Sequence, residues 1–560
     1  MQQRYTVGVD YGTESARAVL VDVSTGQEVA VAQAVYRHGV IDRVLPGTDR
    51  TLPPDWALHA PEDYLESMGA TVQQVLADSG VDPALVIGIG IDTTACTMLP
   101  VTSDGTPLSW LEQWRGEPHA WVKLWKHHAA QAHADRLNAL ARERGGMFLN
   151  RYGGKISSEW MFPKTLQMLE EAPEVVEAAD RLIEIQDWVT WRLAGVEVRS
   201  LTGAGYKAIH EDSGYPPDDF LAALDPRLPA VVRDKLGHAF HTVGTRAGGL
   251  TNDAAALTGL CPGTAVAVGN MDAHVSVAGC GVTGPGRMVM VMGTSICHLL
   301  MGPELAIVEG MCGVVRDGIV PGWWGFEAGQ SAVGDHFGWF RRTCLPAAYE
   351  EEAREAGIDP LRLMETKAAA LRPGESGLVA LDWWNGNRSV LVDVDLTGVL
   401  VGATLATTPE EIYRALIEAT AFGTRTIVEA FEKAGVPVDE LIGCGGLPDH
   451  SPLVMQIFAD VTGREIRVAA AAQTPALGSA MYASVAAGPS LGGYADIEEA
   501  AVAMAHLRDT VYRPTPSHQL VYDELFAEYK ELHDYFGRGP NQIMKRLKRL
   551  RKTVRGGEDG

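Results

Sequence analysis

The sequence predicts an α/β fold built twice over and folded around a cleft. Two observations predict it. Apolar strands alternate with amphipathic helical stretches along most of the chain. A short strand–turn–strand unit near the N-terminus also recurs past the middle.

The first copy reads Gly-Val-Asp-Tyr-Gly-Thr-Glu-Ser-Ala-Arg over 8–17. Tyr5, Val7 and Val9 alternate before it, and a second apolar run, Ala16 to Val23, comes after it. The turn offers backbone N–H groups at Gly12, hydroxyls at Thr13 and Ser15, and a carboxylate at its mouth, Asp10. Amides and hydroxyls grip phosphate oxygens, and a carboxylate holds magnesium through water. An ordinary β-hairpin turn accounts for the segment equally well by itself. The second copy breaks the tie. Met288 to Met292 leads into Gly293-Thr294-Ser295 and another apolar strand. Two phosphate-gripping turns facing each other clamp one nucleotide. This pattern resembles the superfamily of actin, hexokinase and the heat-shock ATPases.

Further elements come in order. Pro61 to Asp78 has helical spacing, Val86 to Asp92 and Thr97 to Val101 read as strands, and Glu117 to Arg144 reads as a long helix or helix pair. Leu182 to Leu193 is a further helix. The Gly-, Pro- and Asp-rich stretch 200–240 reads as an insertion lining the cleft. Strands return at Thr264 to Gly269, and helices are expected over Pro409 to Ala434, Pro452 to Thr462, Gln519 to Phe536 and Gln542 to Lys552. The domain division expected is 1–284, 285–510 and a C-terminal helical tail, 511–560. The basic tail, Lys545 to Arg555, reads as a solvated helix end.

Bulk properties narrow the function. With 560 residues the chain exceeds one core. Its 47 basic against 71 acidic residues argue against nucleic-acid binding, which needs excess Lys and Arg. No apolar run is long enough to span a membrane. Seven cysteines without a Cys-x-x-Cys spacing argue against a disulfide framework or zinc site and point to the cytoplasm.

Two more stretches carry chemistry. Gly443-Cys444-Gly445-Gly446 lies between a strand and a helix, where glycines let an adenosine approach the backbone. Asp272, in Gly269-Asn270-Met271-Asp272-Ala273-His274, comes directly after a strand. A carboxylate there serves either as a helix N-cap or as the acceptor of an attacking hydroxyl's proton. His274 reads as structural. Gly203-Ala204-Gly205 fits a loose dinucleotide fingerprint but opens no apolar-faced helix, and no P-loop motif occurs. His127, His128 and His133 suggest a metal only by number and read as surface residues.

These stretches, in this order, resemble the FGGY family of carbohydrate kinases. Trp160 to Leu166 looks like the family's first signature, and Asp395 to Gly398 onward through Glu410 to Ala419 looks like its second. Within the family the details are similar to the L-ribulokinase branch: Asp10 to Ala18, Asp92 to Thr97, Lys123 to His128, Gly205 to Lys207 and Gly325 to Ser331. The chain departs from many relatives in reading Gly-Cys-Gly-Gly where they have three consecutive glycines.

The resemblance implies two actin-like (ribonuclease H-like) domains flanking a nucleotide and sugar cleft, ATP and Mg2+ as cofactors, and phosphorylation of a ketopentose's terminal hydroxyl in arabinose catabolism. It implies Asp272 as the catalytic base and Asp10 at the metal. Gly12, Thr13, Ser15, Arg17, Gly293, Thr294, Gly443, Gly445 and Gly446 would hold the nucleotide. Lys207, Glu327, Thr94, Ala95 and Trp125 would form the sugar site. The partner expected is a small sugar, with no nucleic acid and no membrane, and the chain is expected as a possible homodimer. The alternatives are another sugar or polyol kinase of the family, acting on xylulose, glycerol or a pentitol, or an ATPase switch of the actin or heat-shock kind.

Overall fold

The computed structural model describes residues 3–554. Two seven-stranded sheets organise the chain. The first contains β1 (Tyr5–Tyr11), β2 (Ser15–Asp22), β3 (Glu28–Val35), β4 (Val86–Thr93), β5 (Arg246–Gly249), β6 (Ala265–Ala267) and β7 (Asn270–Met271). Its order is β5-β6-β4-β1-β2-β3, with β7 also pairing β4. The second contains β8 (Gly286–Met292), β9 (Ile296–Gly302), β10 (Gly313–Arg316), β11 (Trp324–Gln330), β12 (Val438–Cys444), β13 (Ile466–Ala469) and β14 (Leu507–Tyr512), in the order β10-β11-β9-β8-β12-β13-β14.

The repeat seen in the sequence is therefore a repeat of topology. β3-β2-β1-β4-β6 and β11-β9-β8-β12-β13 run in the same order, with the same antiparallel, antiparallel, parallel and parallel pairings. Both hairpin turns close alike: Gly12 N–H donates to the Ser15 carbonyl at 3.0 Å, and Gly293 N–H to the Ser295 carbonyl at 2.9 Å.

One helix from each half packs between the sheets. Asp272–Gly279 comes after β7, Thr474–Ala487 comes after β13, and the two touch. Thr474–Ala487 lies across β1 and β4 of the first sheet. Glycines permit the crossing. A Cβ on Gly8 would stand 1.8 Å from the Ala476 carbonyl oxygen, and one on Gly90 2.2 Å from that of Ser479. Gly88, whose Cβ would stand 2.5 Å from the Ala483 carbonyl oxygen, serves the same backbone contact between the halves.

Several expected elements differ. The long helix over 117–144 is only Gln131–Glu143; before it the chain makes short turns and a two-residue strand, Val122–Lys123. His127 and His133 are buried, not surface residues, bonded to Gln167 at 2.9 Å and Glu170 at 2.9 Å. Among the described residues no group of three or more His, Cys, Asp or Glu is placed to hold a metal. Leu182 to Leu193 divides into the strand Arg181–Glu184 and the helix Ile185–Ala194. The stretch 200–240 is more helical than its composition suggested, with Leu201–Lys207, Asp218–Leu224 and Leu228–Lys235. The basic terminal helix, Ile543–Val554, is docked rather than free: Met544 is buried, and Lys545 and Lys548 pair with Asp393 and Asp395. Arg555 lies outside the described residues. No described helix is long and apolar enough to cross a membrane.

Candidate active site

The site lies where the parallel strands end. Asp10 and Asp92 are register partners near the ends of β1 and β4, so both carboxylates project to the same side. Both are buried. Arg17 Nη1 lies 3.4 Å from Asp10, so this residue faces the acid pair. Ser479, on the helix from the second half, donates to Asp92 Oδ2 at 2.6 Å. Burial raises Asp10 above the usual carboxylate range, against the opposing pull of Arg17. Burial and the Asp10 charge hold Asp92 well above it.

Asp272 opens its helix as the first helical residue, and Met271 holds the N-cap position. Its Oδ1 accepts from Ala273 N–H at 2.6 Å. Burial, then the charge of Asp10, push its carboxyl up to about 7; Glu327 also raises it, while Lys207 pulls the other way. A carboxylate poised there suits proton transfer near neutral pH.

Lys207 and Glu327 form a buried ion pair across the halves, with Nζ–Oε2 at 2.8 Å. The Lys207 ammonium also lies 5.6 Å from the centre of the Trp160 ring. Burial pushes Glu327 upward, but Lys207, His274 and Arg388 outweigh it and draw the carboxyl down to about 2. Arg388 reaches the other Glu327 oxygen at 3.2 Å. His274 is buried with Nε2 3.5 Å from Glu327, and burial lowers it to about 3, so it is neutral. The short helix Leu201–Lys207 explains the failed dinucleotide fingerprint: a Cβ on Gly205 would meet Val315 at 2.5 Å, so its glycine is a packing glycine.

The sugar-side candidates converge on the first phosphate turn. Trp125, partly exposed, donates its indole N–H to Thr13 Oγ1 at 3.0 Å. Thr94 N–H donates to the Tyr11 carbonyl at 3.1 Å, and its hydroxyl pairs with Thr97 at 3.1 Å. Ala95 is half-buried beside it.

The nucleotide-side candidates divide. Gly12 and Thr13 are partly open and Gly293 and Thr294 are exposed; the glycine N–H groups close their own turns, so the threonine amides and hydroxyls are the donors these turns offer. Ser15 is buried at the start of β2 and accepts from Gln33 at 2.9 Å. Gly443 is enclosed within β12, where a Cβ would stand 2.9 Å from Met455. Gly445 and Gly446 are the exposed pair. Gly445 has φ +92°, and a Cβ there would stand 2.6 Å from the Met292 carbonyl. Nothing lies within 4 Å of a Cβ on Gly446.

Each half, with its turn and most of its strands, lies within the reach of a family model. The N-terminal domain of the FGGY family of carbohydrate kinases matches residues 5–279 and the C-terminal domain matches 288–487. The chain belongs to the FGGY family of carbohydrate kinases. It is 58% identical over 552 residues to a ribulokinase of Halalkalibacterium halodurans, covering 98% of each chain. It is 56% identical over 556 residues to one of Anoxybacillus flavithermus, covering 99% of this chain and 98% of that one. Among solved structures it is similar in fold to the xylulose kinase of Rhodospirillum rubrum, with a TM-score of 0.76 at 22% identity, covering 95% of this chain and 98% of that one. The two-domain actin-like fold and a sugar-kinase activity therefore hold for this family member. ATP use comes with the family.

Sequence reasoning omitted Asp92, Ser479 and Arg388 from the site. Asp92 carried a signal: like Asp10, it ends an apolar strand beside small polar residues. Arg388 and Ser479 carried none, because each reaches the site from a segment remote in sequence.

Proposed function

We propose that the chain transfers the γ-phosphoryl group of MgATP to the C5 hydroxyl of L-ribulose, forming L-ribulose 5-phosphate and ADP, in the breakdown of L-arabinose. The full-length relatives, which are ribulokinases by name, support the substrate. The observation that carries the chemistry is Asp272, an acid poised near neutrality beside the buried Lys207–Glu327 pair.

Asp272 accepts the C5 hydroxyl proton as that oxygen's lone pair attacks the γ-phosphorus. The bond from phosphorus to the bridging oxygen breaks, and its electrons leave with ADP. Thr13 and Thr294, in the turns closed by Gly12 and Gly293, hold phosphate oxygens. Gly445 and Gly446 pack against adenosine. Lys207, Glu327, Ala95 and Trp125 fix the sugar. The buried carboxylate of Asp10 at the mouth of the first turn suits a hydrated cation, and Asp10 would hold magnesium, which would supply neutralisation of phosphate charge. Most of the rate enhancement comes from positioning and charge neutralisation.

A coupled assay of ADP release over a panel of ketoses, aldoses and polyols tests this. L-Ribulose should give the highest kcat/KM. A panel led by xylulose, glycerol or a pentitol reassigns the substrate, and ATP hydrolysis that no sugar stimulates removes the kinase reading.

A further inference from the structure

Lys164 sits in the first signature stretch, one turn into the helix Met161–Glu171, and is fully buried. Among the described residues its ammonium group meets no carboxylate at hydrogen-bond distance. It donates instead to three main-chain carbonyls: Cys96 at 2.5 Å, Leu124 at 2.8 Å and Lys123 at 3.4 Å. These carbonyls belong to two segments far apart in sequence. Cys96 is the neighbour of Ala95, and Leu124 that of Trp125. Both neighbours are sugar-site candidates, so a role for Lys164 in that pocket rests on the sugar site of the proposed function.

The two segments need holding. Cys96 has φ 58°, a left-handed conformation that a side-chain-bearing residue adopts at a cost. Its carbonyl, set by that conformation, receives the shortest of the three bonds. Leu124 and Trp125 lie in irregular chain just after Val122–Lys123. The pairing of Met98 with Lys123 joins the adjoining strands, and Leu124 N–H donates to the Ala57 carbonyl at 3.0 Å. The ammonium carries the tie past the end of that pairing, to the Cys96 and Leu124 carbonyls.

We propose that Lys164 is a positioning residue of the sugar pocket, its ammonium cross-linking the Thr94–Cys96 turn to the Lys123–Trp125 segment so that both walls keep the spacing the ketose requires. Burying an ammonium carries a desolvation penalty, which the three carbonyls offset; an apolar side chain of similar length fills the space but takes this donor away from them. Three carbonyls converging from two directions do require a donor with three protons. Burial lowers Lys164 to about 8, which leaves the group charged at neutral pH. The same helix reaches the sugar site a second way, because its N-cap residue Trp160 packs against Lys207. The signature helix thus bears on the pocket through both Lys164 and Trp160.

Steady-state kinetics of Lys164→Met and Lys164→Gln test this, with ketose and ATP varied separately. The sugar is whichever member of the panel the wild type turns over best, so a wrong substrate assignment does not affect the outcome. Lys164→Met should raise KM for the sugar at least tenfold, leave KM for ATP within twofold, and change kcat less than the sugar KM. Lys164→Gln, which keeps an amide donor, should fall between. A sugar KM within twofold of wild type in Lys164→Met overturns the proposal, even if kcat falls, because that is the signature of a merely structural lysine. If circular dichroism shows Lys164→Met unfolded, Lys164→Gln decides: a sugar KM raised at least threefold with ATP unchanged supports the cross-link, and any smaller rise overturns it.

Discussion

The two halves share a backbone plan but divide the chemistry. Counted back from the turn glycine, Asp10 in the first half corresponds to Val291 in the second. Asp10 has Asp92 as its register partner on β4, and Val291 has Cys444 as its partner on β12. A buried acid pair in one half is thus an apolar pair in the other. The same holds around the next element. The helix of the first half begins with Asp272, whereas Thr474–Ala487 of the second half begins with no acid in its first turn. Duplication kept the frame that presents amides to phosphates. The charges proposed to handle metal and proton collected on one side. The other side kept the exposed glycines Gly445 and Gly446.

The largest effect should come from removing the acid that only the first half has. Asp272→Ala should lower kcat by about 10²–10⁴-fold, the usual worth of a positioned general base, while ATP binding persists in calorimetric titration. Turnover near wild type would end that assignment. The pH profile sharpens it. A base must be deprotonated to accept a proton, and Asp272 is protonated below about 7. kcat/KM for the sugar should therefore climb as pH rises toward about 7 and level off above it. The residual activity of Asp272→Ala should lack that limb.

The next effect compares corresponding positions directly. Asp10→Asn keeps the shape and removes the charge. It should lower activity by about 10–100-fold and leave a raised magnesium requirement that added metal restores only in part. Val291→Ala, at the equivalent place in the second half, trims one partly buried side chain and should leave the magnesium dependence unchanged. Equal metal sensitivity in both variants would show that the halves are not chemically divided.

What the sequence made legible divides along a similar line, between local and distant contacts. The strand–turn–strand units were readable because period-2 burial and turn chemistry are local. Asp10 and Asp272 beside their strands, and the exposed Gly445 and Gly446, stood out for the same reason. What stayed hidden depends on contacts between distant segments. Thr474–Ala487 is small and apolar nearly all round, because it is enclosed on every side, so it shows no helical stripe. His127 and His133 looked like surface residues since nothing nearby predicts Gln167 or Glu170 as partners. Gly443 resembled a ligand glycine although packing against Met455 accounts for it. The role of Lys164 needed three carbonyls from two segments, which no local pattern encodes.

The smallest effect separates two adjacent glycines of the second half. Gly445 is held in the left-handed region with the Met292 carbonyl where a Cβ would go, so Gly445→Ala should cost about 1–2 kcal/mol in strain and displace the β8 end. That variant should lose stability and nucleotide affinity together. Gly446 has an ordinary backbone conformation and open space around its would-be Cβ. Gly446→Ala should therefore leave the melting temperature unchanged and raise KM for ATP by roughly fivefold, about 1 kcal/mol of lost approach to the nucleotide. If Gly446→Ala binds ATP as the wild type does, the adenosine does not lie against this turn, and the second half grips the nucleotide through the Gly293–Thr294 turn alone.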